Sequence, residues 1–107
     1  MKYFILILYL ILSIIFPTST FSNDEIISRL QSKGNIIFIR HAIAPGNGDP
    51  DNFDLKDCST QRNLNEIGIN QSKKIGDFFS KNNIPIDKVF SSQWCRCKDT
   101  ANYAFKN

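Results

Sequence analysis

Asn35-Ile36-Ile37-Phe38-Ile39-Arg40-His41 is the stretch whose reading decides the fold. Four consecutive apolar residues, three of them β-branched, predict a strand covered on both faces, as in a parallel sheet. Arg40 and His41 stand at its carboxyl end. Upstream, Asn23 to Lys33 reads as a short helix, with Ile26, Ile27 and Leu30 at helical spacing, Asn23 or Asp24 as cap and Gly34 as terminator. Downstream, Ala42 to about Asn63 is a long loop punctuated by Pro45, Gly46, Gly48 and Pro50, and its length favours a functional loop.

Asn65 then caps a helix reaching about Asn82, with Ile67, Gln71, Ile75, Phe78 and Phe79 as its inner stripe, and Ile84-Pro85 follows its stop. Lys88 to Ser91 reads as a second strand and Ser92 to Arg96 as a turn. A last helix opens near Cys97 or Lys98 and carries Ala101, Ala104 and Phe105. The fold class expected is α/β, a parallel β-α-β-α unit. Its right-handed crossover brings both strand ends, and so Arg40, His41 and Arg96, to one crevice.

The chain has 107 residues, 42% hydrophobic and 21% charged, which suits one small globular domain and excludes a disordered chain. A net charge of +3 is too slight a cationic excess to argue for nucleic acid. Met1-Lys2 precedes an apolar run from Tyr3 to Phe16 broken only by Ser13, then Pro17 and small residues. The run is short of the ~20 residues that span a bilayer, so it reads as a signal peptide over residues 1–22, cleaved after Ser22, with Ser19 the rival site. The alternative is an uncleaved anchor. Residues 23–107 are then expected in the periplasm or secreted, with no stable membrane span.

An oxidising compartment lets cysteines pair. Three are present, and Cys58 with either Cys95 or Cys97 is the expected bond. Neither three thiols with one distant histidine nor the acids Asp49, Asp51, Asp54 and Asp57 in a frame without its glycine satisfy a metal site, so no metal and no cofactor is expected. A redox module built on Cys95 and Cys97 is a minor rival.

His41 is the single histidine. Two guanidinium groups near one point make a fork-shaped anion site suited to phosphate oxygens, and a neutral imidazole beside it can attack phosphorus. Taken alone, Arg-His after a strand is a weak signal. The longer strings sharpen it. Ile39-Arg40-His41-Ala42 with Asn47, Leu64-Asn65-Glu66-Ile67-Gly68 with Gln71, and Ser91-Ser92, Arg96 and Asp99-Thr100-Ala101 follow in order. Together they resemble the histidine phosphatase superfamily (phosphoglycerate mutase-like), in an exported bacterial branch, from about Asn35 to Phe105.

The resemblance implies phosphomonoester hydrolysis through a phosphohistidine at His41. Arg40 and Arg96 would bind the phosphoryl group, Asn47 would help to hold it and Arg62 would stand at the pocket rim. The implied partner is a phosphorylated small molecule or phosphate. Ala42 and Ala44 depart from the family's usual glycine and hydroxyl residue. The family's second histidine, downstream of Arg96, has no counterpart among these residues. The chain is therefore expected to be a truncated, amino-terminal half of the domain with impaired activity. The alternative is a non-catalytic anion-binding remnant or an inert fragment. Two parallel strands would leave unpaired edges, hence an expected loose fold or self-association through the sheet edge.

Overall fold

A computed structural model describes residues 22–105. The leader expected over residues 1–22 lies outside these residues but for Ser22. Three helices form: α1 (Asn23–Gln31), α2 (Glu66–Lys81) and α3 (Cys95–Phe105), with a 3₁₀ turn at Cys58–Thr60. Among the described residues there is no strand and no sheet. The one β-type pairing described is an isolated antiparallel bridge between Asp54 and Asp57.

The α/β expectation, a parallel β-α-β-α unit, is thereby overturned. Residues 35–44 and 88–92 hold no ladder. Ile36 is 83% exposed, Phe38 93% and Phe90 87%. A run of apolar residues expresses a preference for cover and for an extended backbone. A strand also needs a second backbone about 4.8 Å away to complete its hydrogen bonds. After His41 the backbone finds other partners instead. Ala42 N–H donates to Thr100 Oγ1 (3.0 Å), Ile43 N–H to Gln71 Oε1 (2.9 Å), and the Ile43 carbonyl accepts from Asn65 N–H (3.4 Å). The sheet-edge route to self-association falls with the sheet, because no edge exists.

The helices follow their local signals more closely. Ser22 caps α1, its Oγ accepting from Glu25 N–H (3.3 Å), one residue before the expected caps, and the helix ends at Gln31 instead of Lys33. Asn65 caps α2 as expected, its Oδ1 accepting from Gly68 N–H (2.9 Å). The inner face of α2 differs from the expected apolar stripe: Gly68, Ser72 and Phe79 are buried, while Ile67 is 62% exposed. Small residues four apart let other backbone come close. A Cβ at Gly68 would strike the Ile43 carbonyl, and one at Gly76 the Ala104 carbonyl.

α2 packs on α3 through that groove, with Phe79 edge-on to Phe105 at 5.1 Å between ring centroids. Ala42, Ala44, Ile84 and Cys95 complete the buried apolar set. α3 opens at Cys95, two residues before the expected start, so Arg96 lies in its first turn and not in the preceding loop. Cys58 bonds Cys95, deciding between the two expected pairings, and Cys97 is a free thiol. No helix among the described residues is long and apolar enough to cross a membrane.

Candidate active site

The loop after His41 folds back onto the start of α3. Gly46 and Gly48 take positive φ values of 97° and 68°, a region costly for other residues, and the turn they make delivers Asp49 to Arg96. Both Asp49 carboxylate oxygens accept from Arg96 Nη1, at 3.0 and 3.1 Å. The pair is sheltered, with side chains 11% exposed for Arg96 and 9% for Asp49. Arg62 closes the group: its backbone N–H donates to Asp49 Oδ1 (2.9 Å) and its carbonyl accepts from Arg96 Nη1 (3.5 Å).

The Arg62 guanidinium reaches the Ala44 carbonyl through Nη1. Trp94 lies under the Arg96 guanidinium, 4.5 Å from ring centroid to Cζ, and Phe53 packs on Trp94 at 5.0 Å. The Arg62 backbone N–H holds the Asp49 carboxyl below its ordinary value. The Arg96 guanidinium adds to this, against the upward push of burial.

His41 is half-buried, and its Nδ1 lies 2.8 Å from the Ala42 carbonyl. A carbonyl oxygen only accepts, so Nδ1 is the donor in this contact, and the neutral tautomer able to make it has its lone pair on Nε2. The residue after His41 is tied to the Arg96 turn through one side chain. Thr100 Oγ1 accepts from Ala42 N–H and donates to the Arg96 carbonyl (2.7 Å).

Of the residues proposed from sequence, Arg62 and Arg96 are brought together, and the backbone directly after His41 is anchored to the same helix turn. Arg40 and Asn47 are exposed, and neither makes a hydrogen bond or ion pair with the others. Asp49, Trp94 and Thr100 were not singled out as site residues. In the sequence Asp49 stands only as one of four loop acids that do not satisfy a metal site. The signal that could have separated Asp49 was its place directly after Gly46-Asn47-Gly48, a turn able to reverse the chain.

Gln61 supports the group from behind. Its Oε1 accepts from Cys95 N–H (2.9 Å) and its Nε2 donates to the Asp54 carbonyl (2.8 Å), beside the Cys58–Cys95 bond. A buried guanidinium on an aromatic face suits binding of an anionic group, and an imidazole can act as a nucleophile toward one. The sequence profile of the histidine phosphatase superfamily (branch 1) matches residues 36–107, a span holding all of these residues.

The chain belongs to the histidine phosphatase superfamily.

Its resemblance to that superfamily, legible in three motifs, is thus borne out over most of the chain. No curated protein and no solved structure matches it. Membership in the superfamily supports chemistry of the phosphatase type.

Proposed function

We propose that this protein hydrolyses phosphomonoesters through a phosphohistidine at His41. The observation that carries the reading is the His41 ring itself. Its Nδ1–H is held on the Ala42 carbonyl, inside the span matched by the superfamily. The Nε2 lone pair attacks phosphorus, and the ester oxygen leaves with the bonding pair and takes a proton. Water then attacks the phosphohistidine and returns the pair to Nε2, releasing phosphate.

Arg96 and Arg62 supply positive charge for the equatorial oxygens. Arg40 and Asn47 take their phosphate contacts by resemblance alone. The substrate is a phosphorylated small molecule met outside the cytoplasm, after residues 1–22 are removed from an exported chain.

A second reading is favoured by one fact: His41 is the single histidine of these 107 residues. An imidazole of the kind the family places downstream of Arg96 has no source within them. In this reading the chain binds phosphate through its arginines without turnover.

Phosphate release from an aryl phosphate, compared between the chain and His41→Ala, separates the two. Release by the wild type and not by the variant, with an acid-labile phosphoryl group trapped on His41, supports hydrolysis. Equal background rates with retained phosphate binding, abolished by Arg96→Ala, support the second reading and end the first for this chain.

A further inference from the structure

Arg96 is gripped in an unusual way. A guanidinium meets a carboxylate best through two nitrogens, one oxygen to each. Here both Asp49 oxygens lie on Nη1 alone. The other edge of the fork, Nε with Nη2, receives no acceptor from the described residues, and Nε is buried without a partner. Arg96 as a whole is only 9% exposed, so this is an unsatisfied charged donor inside the fold and not a surface group turned to water. Leaving such a donor unpaired costs about 1–3 kcal/mol.

The Nε of Arg62, whose backbone N–H donates to Asp49 and whose carbonyl accepts from Arg96, is buried and unpartnered as well. Each of the two guanidinium groups thus keeps a free donor. The Trp94 face further restricts how Arg96 can turn.

We propose that Asp49 is a positioning residue. It fixes Arg96 by Nη1 so that the Nε–Nη2 edge is kept free of protein acceptors and left for a phosphoryl group to take in bidentate fashion. The inference rests on the reading of this site as a phosphate site, and it assigns to Asp49 a role that motif and family do not.

Its sign is distinctive. Asp49 carries a negative charge beside the seat of an anion. By charge alone its removal strengthens phosphate binding. By positioning, its removal weakens it, because Arg96 then loses the partner that orients it.

The test uses the full chain, Asp49→Asn and Asp49→Glu, titrated with inorganic phosphate. The Arg96 side-chain Nε–H resonance is followed in an isotope-labelled sample without ligand. Asparagine keeps an oxygen for the Arg62 N–H, so the loop retains that bond. The expected result is phosphate affinity at least tenfold weaker in Asp49→Asn, with partial recovery in Asp49→Glu. The Arg96 Nε–H signal merges with the averaged arginine signals in Asp49→Asn alone. Equal or tighter phosphate binding by Asp49→Asn, or an unmoved Nε–H signal, overturns the role of Asp49 while wild-type binding keeps the site reading. Absence of phosphate binding by the wild type overturns the site reading itself, and the role with it.

Discussion

Gly68 in α2 faces the Ile43 carbonyl so closely that a single added methyl group would overlap it. That contact sets how near α2 lies to the segment that carries His41. On an isolated helix, replacing glycine by alanine stabilises by about 1 kcal/mol. Here the clash is with backbone, which has no rotamer to yield. Gly68→Ala is therefore expected to destabilise by about 1–3 kcal/mol, the usual range for overpacking. A lower urea midpoint with an unchanged slope is the check, and a raised midpoint contradicts the packing described.

Thr100 hydrogen-bonds both the histidine segment and the Arg96 turn. Thr100→Val keeps the shape and removes the acceptor of a buried N–H. The expected cost is about 1–3 kcal/mol, because Ala42 N–H is then left without a partner. Any phosphate binding or turnover is expected to fall further than global stability, since Ala42 also supplies the carbonyl that holds the His41 ring. Denaturation and phosphate titration on the same sample separate the two effects.

The Cys58–Cys95 bond closes a loop with a sequence separation of 37 residues. Loop-closure entropy for that length corresponds to about 4 kcal/mol of destabilised unfolded chain. Cys58→Ser is expected to lower the thermal midpoint strongly, whereas Cys97→Ser, at a half-buried free thiol, leaves it nearly in place. Thermal unfolding with and without reductant checks this: the reductant should act on the wild type and Cys97→Ser and have little effect on Cys58→Ser.

Two carboxyls, Asp49 and Asp57, are held below their ordinary value of 3.8. The Arg62 backbone N–H is the main cause for Asp49. For Asp57 it is the Ser59 hydroxyl, then the Ser59 N–H. A group with a depressed folded value adds stability that is complete above its unfolded value and is lost as pH falls through the folded one. Stability should therefore be insensitive to these groups from neutral pH down to about pH 4, and decline below it. Emission from Trp94, the single tryptophan, reports the loss, and Asp49→Asn should flatten part of the acid limb.

The helices were legible because their ends are written locally. Asn65 announces α2 whatever surrounds it, since its side chain needs only a backbone N–H three residues on. The buried face of α2 was not legible from apolar spacing, because Gly68, Ser72 and Gly76 serve by being small. The start of α3 at Cys95 was missed for a related reason. Arg96 and Cys97 have no apolar pattern, and the helix is pinned by the Cys58 bond and by Gln61. The expected sheet failed at Ile36 to Ile39, where apolarity signalled a preference for cover but no paired backbone supplies it.

Membership in the superfamily, the histidine and arginines of the site and the choice of Cys58 as a bonding partner all follow from residue identity and order along the chain. These are properties that no folding event can alter. Which cysteine completes the bond, that Asp49 folds back onto Arg96, and that Thr100 joins the Arg96 turn to the histidine segment were decided only in three dimensions. Each joins residues far apart in sequence, which only the folded chain brings within bonding distance.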